Sequence, residues 1–242
     1  MTSPVNNAHA PADCAGETKG AVVTVVITRP AAQAQGLAER VSAIGRSPIV
    51  FPMLEILPLD EAGELRAVLA DLSSYTLVAF VSPNAIDAAF SYLSAWPAGV
   101  SIGVMGEGSR AALAAHGVTD ANARILSPVD TQKTDSETLL AVLDLQALKA
   151  GKVLIVRGET GRELLADALR AEGIAVTQIA AYRRQAPEFT AVRRNQLSAM
   201  LKQQNDWIVT SSEALRTLVE WARQLSGTGS TEPGNTGAVA EM

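Results

Sequence analysis

Residues 153–173, VLIVRGETGRELLADALRAEG, read as a strand, a short polar turn and an amphipathic helix closed by glycine. Val153–Val156 (VLIV) is an unbroken apolar run, as expected of a strand buried on both faces. Arg157-Gly158 follows, and the helical stretch then ends at Gly173, a position suited to a left-handed C-cap. Strand-then-helix units of this kind build parallel sheets with helices on both faces.

The same unit recurs on either side. Val22–Thr28 (VVTVVIT) leads through Pro30 into a helix ending near Gly45. Leu77–Val81 (LVAFV) leads through Ser82-Pro83-Asn84 into a helix to Ser94. Val100–Met105 leads through Gly106-Glu107-Gly108-Ser109 into a helix ending at Gly117. Ile125–Leu126 precedes a polar loop and a helix from Ser136 to Leu148. Trp207–Val209 leads through Thr210-Ser211-Ser212 into a helix to about Leu225. The predicted class is α/β, with parallel sheets flanked by helices.

A faint repeat sets the domain order. Arg29 and Arg157 each end an apolar strand and each precede a helix-closing glycine, Gly45 and Gly173, by 16 residues. AFVSPNAI (79–86) resembles IVTSSEAL (208–215). The order Arg29, Ser82, Arg157, Ser211 is explained by one domain inserted in another. The outer domain is predicted to hold residues 21–50 and 187–226, and the inserted domain residues 51–186. Connectors at 46–58, with Pro48, Pro52 and Pro58, and at 176–187 (VTQIAAYRRQAP) are expected to cross between them as an antiparallel two-stranded ladder. In such proteins ligands bind off the carboxyl ends of strands and between domains.

Composition excludes several chemistries. The chain has 242 residues, one cysteine (Cys14), two histidines (His9 and His116) and a net charge of −5. Residues 1–20 hold His9 and Cys14 and read as a floppy polar tail; residues 227–242 read as a second flexible tail. Zinc sites, Cys–His nucleophiles and Ser–His triads need several such groups brought together, which this inventory does not supply. No basic stripe suggests a nucleic-acid partner, and no apolar run is long enough for a membrane span or has the form of a signal peptide. A cytoplasmic protein is expected.

Six motifs, in order across residues 21–218, resemble the uroporphyrinogen-III synthase family: VVITRP, FPMLEILP, AFVSPNAI, IGVMGEGSRAAL, LIVRGETGRELLADALRAEG followed by AAYRRQAP, and WIVTSSEAL. The resemblance implies two α/β domains joined by a two-stranded ladder, with the active site in the cleft. It implies cyclisation of the linear tetrapyrrole hydroxymethylbilane to uroporphyrinogen III, with inversion of ring D and loss of water. It also implies no cofactor or metal, a small-molecule substrate, no nucleic-acid or membrane partner, and a monomer. Members usually carry a further βα unit after the Ser-Ser helix; here a shortened outer domain with an exposed sheet edge is expected.

The substrate class carries eight carboxylates, so local donors must bind it to a net-negative protein. Strand-to-helix turns direct free N–H groups outward. The expected substrate-binding residues are Arg29, Ser82, Asn84, Gly106, Gly108, Ser109, Arg157, Gly158, Thr210, Ser211 and Ser212. Tyr182 is the catalytic candidate, a weak acid beside the leaving hydroxyl, on the strength of the family's tyrosine at this motif.

Each has a plainer reading. Ser82 before Pro83 is a helix N-cap, and Thr210 with Glu213 a capping box. Arg29 and Arg157 suit surface ion pairs as well as carboxylates. Tyr182 suits the covering of a strand edge, Arg162 and Glu163 a solvated helix face, and His116 a helix C-terminus. The competing functional readings are a non-catalytic two-domain module for a small polycarboxylate, and a relative that keeps the fold without the activity.

Overall fold

The structure is a computed structural model that describes residues 23–128 and 136–227. The expectations for residues 1–20, with His9 and Cys14, and for the tail after Gly227 lie outside the described residues. So does most of the polar loop before Ser136.

Two sheets form. In the first, β1 (Thr24–Ile27) is central, with β2 (Ser47–Val50) and β9 (Asn205–Ile208) parallel on either side. The second has the order β3-β8-β7-β4-β5-β6, from β3 (Glu55–Leu57), β8 (Ala175–Gln185), β7 (Lys152–Gly158), β4 (Leu77–Phe80), β5 (Ser101–Val104) and β6 (Ile125–Leu126). All its pairings are parallel except β3 with β8. The larger sheet is therefore nested in sequence between β2 and β9.

The helices cover both sheets: α1 (Ala31–Ala43), α2 (Gly63–Ala70), α3 (Pro83–Phe90), α4 (Glu107–Ala115), α5 (Ser136–Leu140), α6 (Leu145–Leu148), α7 (Leu164–Ala171), α8 (Ala191–Leu201) and α9 (Ser212–Gly227). Strand alternation divides the core into layers. Val78, Phe80, Leu154 and Val156 face one side of the large sheet, with Leu65, Ile86 and Leu113. Leu77, Ala79, Val153 and Ile155 face the other, with Leu139, Leu165 and Leu169. In the small sheet Val25 and Ile27 pack on Ala34 and Val41 of α1, while Val26 meets Phe51, Leu197 and Trp221. Gly45, Gly117 and Gly173 all have positive φ, at 77°, 78° and 81°, and close α1, α4 and α7 as the sequence predicts. Among the described helices none is long and apolar enough to cross a membrane.

Several elements differ from expectation. Residues 46–58 are not one connector: β2 is a strand of the small sheet, with Pro48 accommodated on its edge. α2 and α8 lie where no helix is expected. The helix predicted over 136–148 is two, because the Asp144 carboxylate accepts from Ala147 N and starts a fresh turn. α3 stops at Phe90, short of Ser94. The second connector, expected over 176–187, is nearly all of an eleven-residue strand, β8, which pairs with β7 from Ala175 to Tyr182 and with β3 only from Arg183 to Gln185. Near Arg157/Gly158 the register shifts, so that Gly158 lies opposite Tyr182; beyond it β8 turns to β3, pairing Ile56 with Arg184. A bulge there increases local twist and re-aims the side chain.

Candidate active site

The carboxyl ends of the strands in both sheets converge. A cavity of about 500 Å³ is lined by Val81 and Ser82 after β4, Met105 after β5, Gly158 at the end of β7, and Ser211 and Ser212 before α9. A second, of about 550 Å³, is lined by Pro30 and Gln33 of the first βα turn, Ile56 and Leu57 of β3, and Asn84 and Tyr92 of the α3 region. Tyr182 lines both. Its hydroxyl is 3.1 Å from Ser82 Oγ. Ser82 Oγ also accepts from Ala85 N at 3.2 Å, so one hydroxyl caps α3 and meets the phenol. Gly158 makes this possible: a Cβ there would lie 3.0 Å from the Tyr182 ring and 3.1 Å from its oxygen. The backbone completes the seat, with Glu159 N donating to Tyr182 O at 2.9 Å.

Arg157 is buried, 8 % exposed, and its Nη1 is engaged by two acceptors. It donates to Glu163 Oε1 at 2.5 Å and to Gln178 Oε1 at 2.9 Å, while Gln178 Nε2 donates to Glu163 Oε2. The Gln178 and Arg157 bonds hold the Glu163 carboxyl below its ordinary range. Glu163 is thus no idle residue of a solvated face; it closes the turn between β7 and α7. Arg162, expected on the same face, lines the polar cavity.

Gln33–Asn84 and Arg184–Glu213 cross between the parts of the chain that carry the two sheets. Gln33 Nε2 in α1 donates to Asn84 Oδ1 in α3 at 2.7 Å, and Arg29 Nη2 donates back to Gln33 Oε1 at 3.3 Å. Arg184 Nη2 reaches the carbonyl and hydroxyl of Thr160 at 3.0 and 3.2 Å, and its Nε lies 3.5 Å from Glu213 Oε2 at the start of α9.

Of the residues singled out in the sequence, Ser82, Arg157, Gly158, Ser211 and Ser212 share the polar cavity with Tyr182, and Asn84 lines the other. Gly106, Gly108, Ser109, Arg29 and Thr210 line neither; Ser109 is buried, and Gly108 is packed near Pro83. The cap of α9 is Ser211, whose Oγ accepts from Glu213 N and Ala214 N, rather than Thr210. His116 lines neither cavity; it stacks on Phe90 and meets Asp87, a lining residue of the second cavity, at 2.9 Å. Gln33, Thr160, Arg184, Glu213 and Arg216 are site-lining residues that sequence reading misses. The only signal for Arg184 is the RR pair after Tyr182; the others lie on ordinary amphipathic helices or a turn. Among the described residues no group of three or more His, Cys, Asp or Glu could hold a metal ion. The chemistry on offer is a phenol donor, capped helix starts and several guanidinium groups around a concave space.

The family model described as uroporphyrinogen-III synthase HemD matches residues 35–240. The chain is 30 % identical over 210 residues to the uroporphyrinogen-III synthase of Escherichia coli K12, covering 84 % of this chain and 82 % of that one. It is 28 % identical over 226 residues to that of Synechococcus elongatus, covering 84 % and 80 %. In structure it resembles a mutant uroporphyrinogen III synthase of Thermus thermophilus, with TM-score 0.54, 16 % identity and 85 % and 79 % coverage. The Helicobacter pylori uroporphyrinogen-III synthetase gives TM-score 0.52, 14 % identity and 82 % and 78 % coverage. At these identities the structures speak to fold alone.

Proposed function

The chain belongs to the uroporphyrinogen-III synthase family, and from that membership we propose that the two cavities flanking Tyr182 form one substrate cleft. The enzyme is a cyclising lyase that converts hydroxymethylbilane to uroporphyrinogen III, with inversion of ring D and loss of water. Its substrate is a small molecule.

The observation that carries the assignment of roles is the Tyr182 hydroxyl, 3.1 Å from Ser82 Oγ at the boundary of both cavities. The pyrrole nitrogen of ring A expels the hydroxyl of its hydroxymethyl group and leaves an azafulvene. The Tyr182 O–H, a donor oriented by Ser82, hydrogen-bonds the departing oxygen and passes it a proton, so that water leaves; the proton lost from the ring D carbon at final closure restores the phenol. Ring D then attacks through its substituted carbon. The spiro intermediate reopens and closes with that ring inverted. The cleft must fold the linear chain so that its ends meet before direct closure gives the type I isomer, which is positional work. Apolar walls, Pro30, Ile56, Leu57 and Tyr92, suit pyrrole faces, and the N–H groups at the starts of α3 and α9 suit carboxylates.

The test is a coupled assay that supplies hydroxymethylbilane and separates the isomers. The wild-type chain is expected to yield type III product. Tyr182→Phe is expected to lower turnover about a hundredfold, the low end for a general acid. Its unfolding free energy should fall by only about 1 kcal/mol, one hydrogen bond to Ser82 being lost. Only type I product from the wild-type chain would favour a non-catalytic module, and undiminished turnover in a folded Tyr182→Phe variant would remove the phenol from the reaction.

A further inference from the structure

Four arginines, Arg157, Arg162, Arg184 and Arg216, line the polar cavity, and they are not equivalent. The Arg157 Nη1 is engaged by Glu163 and Gln178. Arg184 differs. Pairing of Arg184 with Ile56 in the ladder fixes its backbone, and the two bonds from Nη2 to Thr160 fix its head. Its Nε is buried and, among the described residues, has no hydrogen-bond partner. The carboxylate nearest it, Glu213, stops at 3.5 Å, beyond a good N–H···O bond. Arg216 follows Glu213 by one turn of α9 and donates from Nε to Ser212 O at 3.2 Å.

We propose that Arg184, assisted by Arg216, binds a carboxylate of the substrate, and that Glu213 keeps its place as an internal carboxylate which the substrate displaces. This rests on the uroporphyrinogen-III synthase reading above and adds specificity-determining residues to it. A guanidinium offers a planar fork that matches a carboxylate at two points, which the present approach of Glu213 does not use. The Glu213 pair is partly open to solvent, with side chains 28 % and 34 % exposed, so little is lost when it opens. The incoming carboxylate takes the place of the Glu213 carboxylate beside the Arg184 guanidinium. Glu213 also gives the half-buried Arg184 guanidinium an opposite charge in the free enzyme.

An ion pair that merely braces the fold would respond alike to loss of either partner, whereas a placeholder predicts opposite responses. In steady-state assays on the full chain, Arg184→Ala is expected to raise KM for hydroxymethylbilane about tenfold with kcat little changed, a lost charge-assisted bond. Arg184→Lys should recover part of that loss. Glu213→Gln, which removes the competitor and keeps the side-chain shape, is expected to lower KM about two- to threefold. A KM that moves the same way in both variants, or an Arg184→Ala effect confined to kcat, overturns the proposal. If Arg184→Ala does not fold, the direction of the Glu213→Gln shift decides it. A wild-type chain that makes no type III product would instead defeat the family reading, a failure visible before any variant is compared.

Discussion

Tyr182 and Gly158 form a matched pair across neighbouring strands. The phenol rests where a side chain would otherwise stand, so Gly158 acts through the ring rather than through substrate. Gly158→Ala would bring Cβ to 3.0 Å from the ring, which must give by a few tenths of an ångström. The expected result is a loss of turnover of about three- to tenfold, smaller than that of an ångström-sized misplacement, with far-UV circular dichroism unchanged. Tyr182 itself was legible only through the family motif: its spacing alone suits a strand edge equally well. What spacing does not convey is the bulge that puts Gly158 opposite Tyr182 instead of its in-register neighbour. Ser82 was legible as a cap, and it is one; the second bond to Tyr182 depends on a residue one hundred positions away.

At the level of elements, the Arg157–Glu163–Gln178 bracket ties the end of β7, the turn into α7 and the middle of β8. Glu163 is held below its ordinary value of 4.5 by Gln178 and then by Arg157. A depressed carboxyl stabilises the fold fully above the unfolded value and stops doing so as pH falls through the folded one. Thermal midpoints of the wild type and Glu163→Gln are therefore expected to differ most above pH 4.5 and to converge under more acidic conditions. Elements with a strong internal signal were the legible ones: unbroken apolar strands β4 and β7, and α1, α4 and α7 with their closing glycines. α8 was not, because its face carries Arg193, Arg194 and Asn195 and its burial rests on Leu197 and Met200 alone. β2 was hidden by Pro48, which reads as a linker until the strand is known to be an edge. Arg157 reads equally as a carboxylate binder and as an ion-pair partner, and Glu163 reads as solvated because nothing local reveals that β8 brings Gln178 to it.

For the molecule as a whole, the Gln33–Asn84 bond at 2.7 Å links α1, beside the small sheet, to α3, beside the large one. A single amide–amide bond contributes about 1 kcal/mol, so Asn84→Ala is expected to favour separation of the two parts about fivefold. Small-angle scattering of the free enzyme should register a larger radius of gyration, and bound product should reduce the difference. Asn84 was named from the sequence for its turn, whereas its partner Gln33 lies 51 residues earlier on an unremarkable helix. Convergence of this sort belongs to topology, which repeats and prolines outline without fixing which side chains meet.

The nesting of β3–β8 between β2 and β9 has a temporal side. Thr28 bonds to Ile208, 180 positions later, through both its backbone N–H and its hydroxyl. A ribosome adding about 5–20 residues per second needs roughly 10–35 s to cover that interval. The larger sheet can complete itself while β1 still waits for β9 to emerge. The nascent polypeptide therefore matures from its middle outward, and its opening strand stays exposed to chaperones longest.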